Sequence, residues 1–377
     1  MAAITCQECG ATTHAIAVHL SKDHPEMTLE AYKEKYPLAP TLSPEAQAQI
    51  DMKKGAAAKS VTVAPTTAGP EKKTGALHEL FGFPATAKAA MNALGEAIKV
   101  SLCHRPEIEA HVPDADSKYV FDIADTKTVM MALEMNIPIL MWGHSGVGKS
   151  SLFEECAART GRGYLRVQHT ANTEEADIEG QWRVKNGEMV WEDGPLPFAM
   201  EHGLIYNADE YDFASPMVCS IYQAVLEGKP LRIKAANKVV KPHPDFRFVA
   251  TGNTNGSGDE SGLYAGTQIQ NAANYERFGI VMKKDYMEEK QEIALLMGKT
   301  TVAKEVAQKL VEFAKMMRNS FDRREVTNPL SPRSLQFAAR LGLARSDYKY
   351  GITCAYINRL PPQSAAFATS VMQRMFG

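Results

Sequence analysis

Cysteine is sparse: six residues are scattered too widely for a disulfide framework, and Cys103, Cys156, Cys219 and Cys354 read as ordinary reduced thiols. No run of eighteen apolar residues occurs, so no membrane-spanning helix is expected. The first residues lack a basic segment leading into an apolar one, so no secretory signal is expected, and the cytoplasm is the default compartment. Charge of either sign hardly predominates. The 42 Lys and Arg against 44 Asp and Glu give a net −2, which excludes a global basic signature of nucleic-acid binding. A chain of 377 residues that is 45% hydrophobic and 23% charged can still bury a large core, and its length calls for two or three folding units.

Against these absences one stretch stands out. Gly143-His144-Ser145-Gly146-Val147-Gly148-Lys149-Ser150 follows the apolar run at 137–142 and precedes a helical pattern. A triphosphate needs several donors converging on a small volume, and the glycines let the backbone wrap closely enough to supply them. Lys149 reaches the β- and γ-phosphates, the Ser150 hydroxyl is the expected Mg²⁺ ligand, and Ser151 completes the candidate ATP contacts on a helix whose N-terminal dipole favours anions. The sequence therefore predicts ATP binding.

From residue 119 the chain alternates strands and helices, the signature of an α/β fold with a parallel sheet covered by helices. Residues 204–210 read as a strand ending in two adjacent carboxylates. Asp209 is suited to hold Mg²⁺ through its waters, and Glu210 to polarise an attacking water. A later strand at 246–251 delivers Asn253, whose amide can orient water beside the γ-phosphate. Arg277 sits at a helix end, and Arg333 follows Ser331-Pro332 where a further helix opens facing the phosphates. Residues 181–191 form a β-hairpin by their Asn186-Gly187 turn, interrupting a helix, and 231–241 suggest a second hairpin. Trp182 and Trp191 are expected to pack across the first one, with gripping a partner as the alternative role.

The N-terminal segment reads Cys6-x2-Cys9-x9-His19-x4-His24, a spacing that closes a tetrahedral Zn²⁺ site from a cysteine turn and one helix face. His14 is an alternative ligand at this stage. So short a module would draw much of its folding free energy from the metal. A flexible linker is expected over 39–75, and a helical connection over 76–118 that includes a helix near 85–102.

The finger at 1–38 resembles the zinc fingers of the Ros/MucR regulators, which bind DNA. Here Lys22, Lys33 and Lys35 stand against Glu8, Asp23, Glu26, Glu30 and Glu34, an acidic balance that does not favour DNA and leaves a protein-docking finger at least equally supported. Residues 119–377 resemble the MoxR-like branch of the AAA+ ATPases and, within it, the small ATPase subunits of aerobic cobaltochelatases. The likeness is carried by Asp209-Glu210-Tyr211-Asp212, Ala250-Thr251-Gly252-Asn253-Thr254, Gly262-Leu263-Tyr264-x-Gly266-Thr267-Gln268 and Ser331-Pro332-Arg333. It implies an ATPase core at 119–285, a C-terminal helical lid at 286–377, Asn253 as first sensor, Arg277 as an arginine finger and Arg333 as second sensor. It also implies a homo-hexameric ring and a partner carrying a von Willebrand A domain. Glu276 stands where an Asp commonly precedes the finger. The expected function is ATP-driven remodelling of a partner protein; a DNA-directed ATPase and the ATPase subunit of a cobalt chelatase are the alternatives.

Overall fold

The computed structural model describes residues 3–37, 39–44, 73–92, 94–259 and 262–377. The chain divides into two units, Met1–Glu71 and Lys72–Gly377. Most of the linker expected at 39–75 lies outside the described residues.

In the first unit, strands β1 (Ile4–Thr5) and β2 (Thr12–Thr13) form a small antiparallel hairpin, followed by helices α1 (Ile16–Asp23) and α2 (Leu29–Lys35). The Thr28 hydroxyl accepts from Ala31 N–H and starts α2. Ile4, Cys6, Ile16, Leu20 and Tyr32 make its only buried cluster among the described residues, a core small enough to need a further tie. The unit extends past the expected boundary at residue 38, because Ile16 N–H bonds Thr41 O and Ser43 N–H bonds His14 O.

The segment at 85–102 is not a helix. It contains a single 3-10 turn, Lys88–Ala90, and ends in strand β4 (Lys99–Ser101), which pairs with β3 (Thr74–Ala76) beside a short helix α3 (Leu77–Phe81). Its alanines suggested a helix, but Gly95 takes φ +78° in a turn where the Asn92 side chain accepts from Leu94 and Glu96 N–H. The expected helical connection is thus mostly turns and a two-stranded pairing.

Next comes helix α4 (Ile123–Met135), then the strands β5 (Ile139–Trp142), β6 (Tyr164–Gln168), β9 (Ile205–Asp209), β12 (Arg247–Gly252) and β13 (Ile280–Lys283). These five form one parallel sheet in the order β13-β5-β12-β9-β6. β5 is held on both edges and covered on both faces, which is why its sequence is continuously apolar. Ile139, Leu140 and Met141 are fully buried, each contributing about 1.5–3 kcal/mol. Buried Arg247 donates to the carbonyls of Leu133, Pro244 and Phe246, so it secures the C-terminal end of α4 and does not face the nucleotide loop.

Between β6 and β9 the chain inserts the hairpin of β7 (Gly180–Lys185) and β8 (Glu188–Asp193), with Asn186 at φ +55° and Gly187 at φ +86° as the sequence predicts. Trp182 and Trp191 face each other edge-to-face with ring centres 5.7 Å apart. The second hairpin, β10 (Leu231–Ile233) with β11 (Lys238–Val240), touches the first through Trp182 Nε1–H to Ala235 O at 3.1 Å. The chain ends in helices, among them Glu289–Thr300, Lys304–Asp322 and Pro332–Arg345. Ala307, Leu310, Val311, Ala314 and Met317 repeat at helical spacing and bury one face of the second of these. Among the described residues, no helix is long and apolar enough to cross a membrane.

Candidate nucleotide site and metal centre

The phosphate loop joins β5 to the helix Lys149–Thr160. Gly143 leaves the strand at φ +150°, and a Cβ there would collide with the Lys284 carbonyl, so a side chain is excluded on two grounds. A Cβ on Gly146 would press within 3.1–3.3 Å of Ser331 and Arg333. The N-terminus of the Pro332–Arg345 helix, capped by the Ser331 hydroxyl, therefore lies over the loop and brings Arg333 to it. Val147 is buried and Ser151 is exposed on the helix.

Lys149 Nζ donates to the carbonyls of Gly143 (2.7 Å) and His144 (3.0 Å) and to Asn253 Oδ1 (3.1 Å). Burial pushes its ammonium down to about 8 against the opposing pull of Asp212, Asp209 and Glu210. Asn253 is presented by Asp212, whose Oδ2 accepts from Asn253 N–H at 2.9 Å and from the N–H and hydroxyl of Thr254. Tyr264 comes from a different segment. Its hydroxyl lies 2.9 Å from His144 Nδ1 and accepts from Ser145 N–H at 3.1 Å, so it closes onto the loop's own backbone.

Asp209 ends β9 almost completely buried. Its Oδ1 accepts from the Ser150 hydroxyl at 2.5 Å and from Thr251, and its Oδ2 accepts from Arg166 Nε at 2.7 Å. Burial alone would raise its carboxyl, but the donors Ser150, Thr251 and Arg166 hold it below the ordinary range. A hydroxyl beside an ionised carboxylate is the hard-oxygen pair that Mg²⁺ takes, so Ser150 and Asp209 fit the ion. Glu210 follows in the left-handed region at φ +54°, a conformation costing about 1–3 kcal/mol in a non-glycine residue and concentrated at functional positions. Its Oε2 accepts from Gln168 Nε2 at 2.9 Å.

Arg166 and Gln168, together with Tyr164 on the same strand, escaped the sequence reading. They alternate along β6 and so share one face of the sheet. Tyr164 accepts from Asn207 Nδ2 at 2.7 Å, which places the polar Asn207 in an otherwise apolar strand. The period-two pattern marks the shared face, but only the pairing of β6 with β9 shows what that face meets. Arg277 lies apart from this group. Its described partners are Glu227 (2.7 Å) and the Ala273 carbonyl (2.5 Å), neither in the phosphate loop.

The first unit brings Cys6, Cys9, His19 and His24 together, one ligand atom from each within 4.8 Å of the others. A tetrahedral zinc site needs separations of roughly 3.3–3.8 Å, a small contraction from this cluster. Cys9 Sγ lies 3.1 Å from His19 Nε2, and His19 Nδ1 pairs with Asp23 at 2.8 Å, leaving Nε2 aimed at the sulfur. Buried His24 Nε2 has no hydrogen-bond partner, as a metal-directed nitrogen would lack one. His14 instead lies 3.1 Å from the Ser43 hydroxyl. The donor set fits Zn²⁺.

Comparison with known proteins identifies the domains of the second unit. Residues 138–268 match the model of the AAA domain (dynein-related subfamily), and residues 292–366 match the CbbQ/NirQ/NorQ C-terminal model. The chain is 32% identical over 279 residues to the aerobic cobaltochelatase subunit CobS of Sinorhizobium sp, covering 71% of this chain and 84% of that protein. It is 26% identical over 251 residues to protein NorQ of Paracoccus denitrificans, covering 66% and 87%. It is 27% identical over 179 residues to protein CbbQ of Hydrogenophilus thermoluteolus, covering 47% and 64%. The chain therefore belongs to the MoxR-like AAA ATPases, the family of CobS, NorQ and CbbQ, and its reaction is the hydrolysis of ATP.

Proposed function

We propose that this ATPase assembles into a ring and uses hydrolysis to move its inserted hairpins against a partner protein. The observation that carries the reading is the β7–β8 hairpin. Trp182, Val184, Met189 and Trp191 share one of its faces, and Val184 and Met189 are 70% and 62% exposed. An apolar surface on a β-ribbon, tied to the second hairpin through Trp182, suits contact with another protein. A partner with a von Willebrand A domain is the candidate implied by the family resemblance.

In the chemistry we propose, Lys149 and the loop N–H groups hold the phosphates, and Glu210 accepts a proton from the attacking water that Asn253 orients. Mg²⁺, held by Ser150 and Asp209, would neutralise charge on the phosphates. Arg333 supplies charge from the lid within the same subunit. Arg277 reaches a neighbour's nucleotide after exchanging Glu227 for phosphate. Zn²⁺ at Cys6, Cys9, His19 and His24 holds a docking module; its acidic balance, with Lys35 tied to Glu8 at 2.9 Å, supports a protein partner over DNA.

Mixing two inactive variants tests the ring. Glu210→Gln keeps the finger and loses the general base, whereas Arg277→Ala keeps the base and loses the finger. Mixed rings should recover turnover that neither variant has alone; a mixture as inactive as its parts would contradict action between subunits. The identity to CobS supports a second reading, the ATPase subunit of a metal chelatase. ATP-dependent cobalt insertion with the corresponding large subunits would favour it over general remodelling.

A further inference from the structure

The carboxylate that would face Mg²⁺ already has a cation on it. Arg166 Nε and Nη2 converge on the single oxygen Asp209 Oδ2, while Ser150 and Thr251 occupy Oδ1. The two partners differ in exposure: the Asp209 side chain is 4% exposed and that of Arg166 51%. A nearly buried carboxylate without a counter-charge is costly, whereas a half-solvated guanidinium can return to water at little cost. The strand geometry makes this possible, since β6 lies at the sheet edge beside β9 and Arg166 leaves it on the same face as Gln168.

We propose that Arg166 is a resident counter-cation that neutralises Asp209 before metal arrives and yields to the divalent ion entering with nucleotide, so that it sets the metal requirement of the site. The inference rests on the reading of Asp209 as the metal carboxylate. Two cations compete for one buried anion. The guanidinium wins when the site is empty, and the divalent charge wins only when phosphate oxygens supply the rest of its ligands. Arg166 would thereby disfavour metal binding without nucleotide.

The test is Mn²⁺ binding in the presence of ADP, followed by the electron paramagnetic resonance signal of the free ion, on wild type, Arg166→Gln, Arg166→Lys and Asp209→Asn. Arg166→Gln should bind Mn²⁺ roughly three- to tenfold more tightly than wild type, with Arg166→Lys between them. The Mg²⁺ concentration giving half-maximal ATP turnover should fall by the same factor. ADP affinity measured in EDTA should stay unchanged, which reports an intact site. Unchanged or weaker Mn²⁺ binding in Arg166→Gln with intact ADP binding would overturn the proposal, because Arg166 would then orient Asp209 for the metal or act on substrate. Wild-type Mn²⁺ affinity in Asp209→Asn would instead remove the underlying reading of Asp209.

Discussion

Gln168 and Glu210 are joined by a hydrogen bond of 2.9 Å from the glutamine amide to the carboxylate that stands one residue beyond Asp209, the proposed metal ligand. The bond ties the proposed general base to the edge strand β6 while the Glu210 backbone stays in a left-handed conformation. An amide donating to a carboxylate restricts its orientation and occupies one of the oxygens that would take a proton from water. Gln168 therefore restrains Glu210.

Replacing Gln168 by Ala should therefore raise basal ATP turnover, by about tenfold or less, the worth of one charge-assisted hydrogen bond. Steady-state turnover without partner protein checks it. A fall in kcat would mean that Gln168 aims Glu210 at water.

The zinc assignment separates residues that sequence spacing left together. His24→Ala or Cys6→Ala should abolish binding of about one zinc per chain and unfold the first unit, while His14→Ala should keep the metal. Asp23→Ala, which frees the far nitrogen of His19, should weaken zinc about 10–100-fold. Metal analysis and a zinc-chelator competition measure all four. ATP turnover should survive the loss of zinc because the nucleotide site lies wholly within the second unit.

Glu179 closes the helix before the hairpin, with 6% exposure, and burial together with Glu175 raises its carboxyl to about 7. A folded-state value above the unfolded one means that the fold favours the protonated form. Stability is then fully present below the unfolded value near 4.5 and is lost as pH rises through about 7. Glu179→Gln, which mimics the protonated acid, should stabilise the protein by about 1–3 kcal/mol at pH 8 and by much less at pH 5. Urea unfolding at both pH values checks the sign; equal effects would place the burden elsewhere than ionisation.

Gly143→Ala should cost about 2–4 kcal/mol in stability and remove nucleotide binding, because the new methyl meets a backbone carbonyl that cannot swing aside. Gly187→Ala, in the hairpin turn with open space around it, should cost only about 1 kcal/mol from its positive φ. Thermal melts with and without ADP distinguish the two.

The nucleotide loop, the Asp209-Glu210 pair, the sheet and the inserted hairpin were legible because each is written in contiguous residues with fixed spacing. Cys6, Cys9, His19 and His24 were legible for the same reason. What was not legible depends on strands far apart in sequence. Arg166 and Gln168 acquire their meaning only when β6 pairs with β9, Asp212 when it caps the backbone of Asn253, and Tyr264 when its loop folds onto Ser145. The segment at 85–102 misled in the opposite way: its composition favours a helix, yet β4 pairs with β3 and the Asn92 side chain fixes a turn. Arg277 lies just past the helix Ala272–Tyr275, and its pairing with Glu227 joins residues fifty positions apart and has no local signature.

The most direct measurement is single-turnover ATP hydrolysis by wild type and Glu210→Gln, with nucleotide affinity measured on the same samples. The account predicts that Glu210→Gln binds ATP as tightly as wild type and hydrolyses it at least about a hundredfold more slowly, the scale of a lost general base. Hydrolysis by Glu210→Gln at the wild-type rate would contradict the account, because the water would then be activated by another group.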